Sequence, residues 1–275
     1  MGDPGTMLSG NRAEDEDFAR FVANIKKSTS IDLSQYKENQ MRRRLTTLRL
    51  KHGYSSFSAY YAALMADAKL LNEFLDRMTI NVSEFWRNPN RWQVLRERFL
   101  LPLAQKQQRM HVWSAACSTG EEPYTLAMLL DSLGALERTS ILASDIDDLV
   151  LAKAKEGLYS DRSLREVPPD YKQRYFHPED GSFRVADKLK KAVKFQKQNL
   201  LLDPFPSEQY DLIVCRNVMI YFTEEAKAGL YRKFSQALKP SGILFVGSTE
   251  QIFNPGQHGL ETADTFFYRR SDGGV

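Results

Sequence analysis

The 275-residue chain contains only two cysteines, Cys117 and Cys215. Both lie inside apolar segments and they form no C-x-x-C pair, so we expect neither a disulfide framework nor a cysteine-ligated metal site. We interpret them as small buried residues in a reducing compartment. No residue is assigned as a metal ligand.

Long apolar runs are also missing. No run approaches the roughly 20 residues that a membrane-spanning helix needs, and no signal peptide is recognisable, so we expect a cytoplasmic protein without membrane insertion. The formal net charge of +3 is nearly neutral for this length, which excludes a wholesale nucleic-acid surface. The opening MGDPGT resembles a cloning remnant, and residues 1–10 are expected to be disordered or tag-derived.

The sequence lacks the usual phosphate-binding motifs, G-x-G-x-x-G and G-x-x-x-x-G-K-[ST]. Residues 110–134 nevertheless read MHVWSAACSTGEEPYTLAMLLDSLG, an apolar strand, a turn and an amphipathic helix, which is where doubly wound α/β proteins hold nucleotides. Glu121 and Glu122 stand at the helix start, where a phosphate would otherwise bind. Carboxylates repel a pyrophosphate and attract a cation. S-adenosylmethionine, with a sulfonium, an ammonium and no phosphate, fits this position.

A simpler interpretation of the same segment is helix capping. Ser118 with Glu121, or Thr119 with Glu122, has the spacing of a capping box. Capping alone would leave the segment without a functional role, although it does not exclude ligand binding.

Hydrophobic periodicity divides the chain into two domains. Apolar residues recur at helical spacing as far as about Thr79, which predicts an all-helical N-terminal domain over residues 1–80. Residues 81–91 form an interdomain stretch. The middle helix carries a basic face, which is either a binding surface or merely solvated surface, and its members are Arg42, Arg43, Arg44, Arg49 and Lys51.

Residues 92–275 alternate between strands and helices, which predicts an α/β domain with a mostly parallel sheet. The predicted strands are 111–116, 140–144, 193–196, 210–215, 243–247 and 265–269. Over residues 160–191 this rhythm breaks. The turn Asp180-Gly181 before Phe183 and Val185 predicts a hairpin there, within a small inserted β subdomain.

The ends of two predicted strands carry polar residues. Asp145 follows Gly120 by about 25 residues, and an acid at this distance can accept both hydroxyls of a ribose. Asp147 or Asp148 is expected to cap the next helix. The fourth strand ends in CRNVMIYF without the Asp/Asn-Pro-Pro-aromatic element of DNA amino-methyltransferases, and nothing in this half indicates a pocket for a flipped base.

The motifs NVSEFWR, SAACSTGEEPY, ASDID, QNLL and CRNVMIYF occur in this order. Through them nearly the whole chain resembles the CheR family of chemotaxis receptor methyltransferases. The resemblance implies a helical domain followed by a Rossmann-like class I S-adenosylmethionine-dependent methyltransferase domain with a small β insertion. It also implies methyl transfer from S-adenosylmethionine to receptor glutamates, giving glutamate methyl esters and S-adenosylhomocysteine.

Carried over by motif, the resemblance implies cofactor contacts at Asn81, Ser83, Arg87, Glu121, Asp145, Asn199, Leu200, Arg216 and Asn217. The chain departs from the family at two positions, Ser83 in place of the commoner threonine and Trp86 in place of phenylalanine, but the hydroxyl and the aromatic ring are retained. Asn81 and Ser83 could instead cap a helix around Glu84.

A glutamate nucleophile is already anionic near neutral pH, so the enzyme has to supply positioning and desolvation rather than a strong base. Arg87 and Tyr221 are the candidate catalytic residues, Arg87 to orient the substrate carboxylate through paired donors and Tyr221 to line the methyl path. We expect chemoreceptor helices rich in glutamate to be bound by the basic face, through Arg42, Arg43, Arg44 and Arg49.

Partners and competing functions remain open at this stage. The turn HPEDGSF is short for a docking edge, so tethering through a receptor tail peptide is not expected. The sequence identifies no regulatory protein and favours no nucleic-acid partner. The alternatives are a nucleic-acid or small-molecule methyltransferase of the same fold, and a noncatalytic cofactor-binding module that regulates a partner.

Overall fold

A computed structural model describes residues 4–29, 31–78 and 83–271, with side chains given from residue 12 onwards. The chain divides into two compact units. The first comprises Met1–Ile80 and Tyr221–Lys227, and the second comprises Asn81–Ile220 and Ala228–Val275. Within the described ranges, no helix has both the length and the apolar character to cross a membrane.

The first unit is built from helices α1 (Pro4–Thr29), α2 (Glu38–Lys51), α3 (Phe57–Ala66) and α4 (Ala68–Met78). Their apolar faces meet around the buried rings of Phe21, Phe57 and Phe74. Asp17 of α1 caps α3, because its carboxylate accepts the backbone N–H of Phe57 at 2.6 Å. α1 begins at Pro4, and the expectation that residues 1–10 are disordered or tag-derived stays a prediction.

The segment Tyr221–Lys227 groups with this helical unit despite its distance along the chain. The backbone N–H of Lys37 donates to the carbonyl of Tyr221 at 2.9 Å. Phe222 forms an isolated β-bridge with Tyr36, and their rings meet edge-on at 5.1 Å. A pairing between residues so far apart in sequence leaves no local pattern, so hydrophobic periodicity does not predict it.

The second unit contains a seven-stranded sheet in the described part of the chain, with strand order β6-β2-β1-β7-β8-β10-β9. The strands are β1 (Met110–Ala115), β2 (Thr139–Asp145), β6 (Val193–Lys197), β7 (Tyr210–Cys215), β8 (Leu238–Val246), β9 (Leu260–Asp264) and β10 (Phe267–Arg270). The first five strands in this order run parallel to one another. β10 is antiparallel to both β8 and β9. The predicted fold class is confirmed.

The sheet differs from the prediction by more than two residues in two places, at the start of β8 and at β9. β8 begins at Leu238 and runs through Pro240 and Gly242, whereas the predicted strand begins only at residue 243. A register shift against β7 between Tyr210 and Leu212 accommodates them. β9 was not predicted, because its sequence LETAD carries few β-branched or aromatic residues.

Helices cover the sheet. They are α5 (Pro89–Val94), a π-helical stretch (Leu95–Leu100), α6 (Leu101–Gln105), α7 (Glu121–Ser132), α8 (Asp148–Glu156), α9 (Pro169–Tyr175), α10 (Asp187–Ala192) and α11 (Glu224–Ala237). β1 lies between β2 and β7. The carboxyl ends of these three strands therefore meet where the strand order reverses, the place at which open α/β sheets bind ligands.

A separate three-stranded sheet has the order β3-β5-β4, with β3 (Leu158–Tyr159), β4 (Phe176–Glu179) and β5 (Ser182–Val185). The predicted hairpin turn is present. Asp180 and Gly181 have φ values of +45° and +76°, as a two-residue turn with both residues at positive φ requires.

Gly120 begins α7 with a φ of +96°, in a region that residues with a side chain rarely adopt. A Cβ at this position would lie 2.9 Å from Ala154 Cβ and 2.9 Å from Tyr159 Oη. The glycine thus permits both the turn and the close packing of α7 against α8.

Gly120→Ala should lower the free energy of unfolding by about 2–4 kcal/mol, because strained backbone and overpacking add. The matched control is Gly134→Ala, where φ is +64° but nothing lies within 4 Å of the added Cβ, and about 1 kcal/mol is expected. Urea unfolding followed by circular dichroism measures both. Equal losses in the two variants would show that packing at Gly120 is unimportant.

Candidate cofactor site at the carboxyl edge of the sheet

The turn between β1 and α7 has an unusual backbone. Ala116, Ser118 and Gly120 have φ values of +59°, +48° and +96°. The N–H of Cys117 donates to the carbonyl of Ser144 at 2.9 Å, which ties the turn to β2. Non-glycine residues at positive φ are uncommon and cluster at functional sites. The turn is therefore the first structural indication of a binding site.

Asp145 lies at the end of β2 and is 7% exposed. Its carboxylate accepts the backbone N–H groups of Ser118 at 2.9 Å and Asp147 at 3.1 Å. Burial raises the pKa of Asp145 to about 6, although these bonds oppose the shift. The carboxylate retains acceptor capacity, because two oxygens offer about four lone-pair sites.

Asp147 caps α8, accepting the N–H of Leu149 at 2.8 Å. The predicted capping role is thus confirmed for Asp147, and it does not involve Asp145.

Glu121 and Glu122 have different surroundings. Glu121 is 4% exposed, and its carboxylate accepts hydrogen bonds from Thr119 Oγ1 at 2.7 Å and from the side chain of Ser83. Glu122 accepts from Ser114 Oγ at 2.9 Å. Burial raises the pKa of both, that of Glu122 to about 7. The carboxylates of Glu121 and Glu122 at the start of α7 thus favour a neutral or a positively charged ligand group.

The capping alternatives are wrong for Ser118, Thr119 and Ser83. Gly120 is the N-cap of α7 and no side chain caps that helix, so the capping box does not form. Ser83 lies outside any helix and bonds to Glu121, and the next helix begins only at Pro89. Asn81 lies outside the described residues.

Arg216, at the end of β7, is buried, and its guanidinium is engaged within the protein. It donates to the carbonyl of Arg87 at 2.8 Å and to Asn88 Oδ1 at 2.9 Å. It also lies 3.6 Å from the Glu122 carboxylate, with the Phe245 ring centroid 4.7 Å away. These contacts hold the backbone of Arg87 in place. A direct contact between Arg216 and the cofactor remains a prediction.

The turn after β6 is shaped by Asn199, whose Oδ1 accepts the N–H groups of Leu201 at 3.0 Å and Leu202 at 3.3 Å. Leu200 is buried beside it. No role was predicted for Gln198, whose N–H donates to the carbonyl of Asp145 at 2.8 Å. Its Oε1 is buried and has no hydrogen-bond partner among the described residues. A donor on a ligand would satisfy this oxygen. Gln198 is the first residue of the QNLL motif, and that position was the available signal.

The basic face of α2 is smaller than predicted. Arg49 is 7% exposed, donates to the carbonyl of Ser55 at 2.5 Å and lies 4.7 Å from the ring centroid of Phe57. The expectation that Arg49 belongs to an exposed basic face is wrong. Because Arg49 follows Leu45 by four residues, it lies on the apolar side of the helix.

The other three arginines of α2 differ in their contacts. Arg42 pairs with Asp15 at 2.5 Å. Arg44 donates to the carbonyl of Met78 at 3.0 Å and lies 5.6 Å from the ring centroid of Tyr221. Arg43 is exposed. Arg43 is thus the most accessible of the four arginines.

Cys117 and Cys215 are buried free thiols. Within residues 4–29, 31–78 and 83–271, no group of three or more His, Cys, Asp or Glu side chains is placed to hold a metal ion.

Acidic residues lie at the point where the strand order reverses, and the fold is that of an S-adenosylmethionine-dependent methyltransferase. Residues 81–267 match the family "CheR methyltransferase, SAM binding domain", and residues 16–79 match "CheR methyltransferase, all-alpha domain". The chain belongs to the CheR methyltransferase family, which confirms the resemblance read from the motifs. Its cofactor is S-adenosylmethionine.

Curated relatives cover nearly the whole chain. The chemotaxis protein methyltransferase of Listeria monocytogenes is 40% identical over 256 residues, which is 92% of this chain and 97% of the relative. That of Escherichia coli K12 is 35% identical over 247 residues, 86% of this chain and 85% of the relative. Among solved structures, a TehB-like SAM-dependent methyltransferase from Corynebacterium glutamicum is 15% identical, covering 66% of this chain and 93% of that chain, with a TM-score of 0.36.

The raised pKa of Asp145, about 6, predicts pH-dependent cofactor binding. The ionised carboxylate is the better acceptor for ribose hydroxyls. Between pH 7 and pH 5 it gains a proton, and the Kd for S-adenosylhomocysteine should rise by up to about tenfold, one pKa unit being 1.36 kcal/mol. Calorimetry at pH 5, 6 and 7 measures this. Asp145→Asn should bind more weakly throughout and flatten the profile. A wild-type Kd that does not change with pH would contradict the assignment.

Proposed function

We propose that this chain transfers methyl groups from S-adenosylmethionine to glutamate side chains of chemoreceptor cytoplasmic domains, giving glutamate methyl esters and S-adenosylhomocysteine. The observation that carries the proposal is the match of both parts of the chain to the CheR methyltransferase family. Relatives named chemotaxis protein methyltransferase, aligned over most of their length, support it. The proposed location is the cytoplasm, where such receptor domains lie.

The residues at the carboxyl edge fit the cofactor by their chemistry. Asp145 offers acceptors for two ribose hydroxyls, and Glu121 offers a carboxylate for the ammonium group. The buried Gln198 Oε1, for which the described part of the chain supplies no partner, offers an acceptor for an amino group. Like-charge repulsion from Glu121, Glu122 and Asp145 disfavours a phosphate. When bound, S-adenosylmethionine supplies a methyl group on a positively charged sulfur.

The basic residues around Arg87 suit an anionic substrate. Burial lowers the pKa of Arg216, and the nearby charge of Arg87 lowers it further. Because the charge of Arg216 is engaged with Glu122, Arg87 is the cation assigned to attract the substrate carboxylate. We assign Arg87 to orienting the glutamate and Tyr221 to lining the methyl path, and we retain Asn199, Leu200, Arg216 and Asn217 as cofactor residues.

The reaction makes modest chemical demands on the protein. The glutamate carboxylate oxygen forms a bond to the methyl carbon, and the electrons of the broken carbon–sulfur bond stay on sulfur. No proton is transferred, so no general base is needed. The chain's own residues have to align the carboxylate and exclude water from it.

Tethering through a receptor tail peptide is not part of the proposal, and recognition is assigned to the exposed part of the α2 basic face. No regulatory protein is identified. The competing functions, methylation of nucleic acid or of a small molecule and a noncatalytic regulatory role, predict different products in the assay that follows.

Purified protein given labelled S-adenosylmethionine should methylate receptor cytoplasmic fragments, and the label should be released by mild base, as expected for a carboxyl methyl ester. Nucleic acid is the control acceptor. Arg87→Ala should lower kcat/KM by about tenfold or more through loss of a charge-assisted contact. Base-stable label, or label on nucleic acid alone, would favour the competing functions.

Charge reversal tests recognition by α2. Arg43→Glu should lower kcat/KM for receptor fragments several-fold at low salt, and the difference should shrink as salt screens the interaction. Lys106→Glu, an exposed residue of the other compact unit, changes net charge equally and should have little effect. Equal effects of the two charge reversals would show that the basic face of α2 is solvated surface and does not bind the receptor.

A further inference from the structure

Glu250 follows β8 in the sequence GSTE and is 5% exposed. One carboxylate oxygen accepts the backbone N–H of Asn217 at 2.6 Å and that of Gly247 at 2.8 Å. The other accepts the N–H of Met219 at 2.7 Å and that of Ile220 at 3.3 Å. Four backbone N–H groups from two loops thus donate to one buried carboxylate.

The segment after β7 depends on these bonds. Asn217 has a φ of +62°, which costs a non-glycine residue about 1–3 kcal/mol unless its surroundings impose it. Three amides of residues 217–220 are satisfied by Glu250 and not by regular secondary structure. Without that carboxylate they would be left unpaired, that of Met219 in a buried place and the other two in partly buried ones.

Gly247 makes room for the arrangement. A Cβ at this position would overlap the Glu250 carboxylate and would lie 3.0 Å from the Asn217 nitrogen. The glycine therefore lets the carboxylate approach the loop from the neighbouring strand.

The charge of Glu250 also acts on its neighbours. Burial is the main cause of the raised pKa of Glu122, and the charge of Glu250 raises it further. Burial lowers the pKa of Arg216, and the charge of Glu250 acts in the opposite direction. Glu122, Arg216 and Glu250 are therefore electrostatically coupled at one end of the sheet.

We propose that Glu250 is a positioning residue for methyl transfer, a role that rests on the proposed function. Its carboxylate fixes the backbone of residues 217–220, which carries the predicted cofactor residue Asn217 and continues in sequence into the candidate catalytic residue Tyr221. Because four donors fill both oxygens, Glu250 has no acceptor left for the cofactor and acts through the loop.

The test is Glu250→Gln, which keeps the shape but directs an NH2 group at backbone donors. We expect the Kd for S-adenosylhomocysteine to rise by about tenfold and kcat per folded molecule to fall at least as much, with KM for receptor fragments unchanged. Glu261→Gln, an exposed glutamate on β9, is the matched control and should behave as wild type. A purely structural role would lower stability and leave kcat of the folded fraction intact.

Amide hydrogen exchange of the wild type gives an independent readout. The N–H groups of Asn217 and Met219 should exchange slowly without cofactor, because Glu250 already holds them. Fast exchange there, or a folded Glu250→Gln with wild-type kcat and Kd, would overturn the proposal. If Glu250→Gln fails to fold, the exchange measurement decides. If wild type does not methylate receptors but the variant loses cofactor affinity, only the proposed function fails.

Discussion

The constraint on which this structure depends is the enclosure of four carboxylates near the carboxyl ends of the central strands, three of them buried and that of Glu122 mostly so. A buried charge is tolerated only when hydrogen bonds or an opposite charge replace water. Asp145 and Glu250 are satisfied by backbone amides, Glu121 by hydroxyl groups, and Glu122 by Ser114 and Arg216. The positive φ values in the β1–α7 turn and at Asn217 lie in the segments that supply these amides.

These enclosed carboxylates lower the stability of the folded protein and raise its affinity for a positively charged ligand. Because the pKa values of Asp145 and Glu122 are raised to about 6 and about 7, the folded state binds more protons than the unfolded chain between about pH 4 and 7. Stability contributed by these groups is therefore present at low pH and is lost as pH rises through that window. A bound ligand that brings positive charge offsets part of the loss.

The sequence was sufficient for the fold and for the identity of the cofactor. The alternation of strands and helices predicted the parallel sheet, and the pair Glu121 and Glu122 without a phosphate motif predicted a cationic nucleoside ligand. The sequence pattern could not distinguish the contacts of these two residues, because adjacent identical residues look alike in a sequence. In the structure Glu122 pairs with Arg216, whereas Glu121 accepts hydrogen bonds from Ser83 and Thr119.

Other features were missed for equally physical reasons. Arg49 carries a charge, yet its position one turn after Leu45 places it on the buried side of α2. Glu250 acts through backbone amides that come from residues about 30 positions earlier, and such bonds leave no trace in composition. Tyr221–Lys227 groups with the helical unit through backbone pairing with residues 35–37, which only the folded chain reveals.

The central claim is that the carboxyl edge of the sheet is an acidic site for a nucleoside ligand that carries positive charge and no phosphate. Calorimetric titration of the folded protein with S-adenosylhomocysteine, and separately with ATP and NAD, tests it most directly. The account predicts one binding site for S-adenosylhomocysteine and no competition from ATP or NAD at tenfold higher concentration. Displacement of S-adenosylhomocysteine by ATP at equal concentration, or no binding of S-adenosylhomocysteine by folded protein, would contradict it.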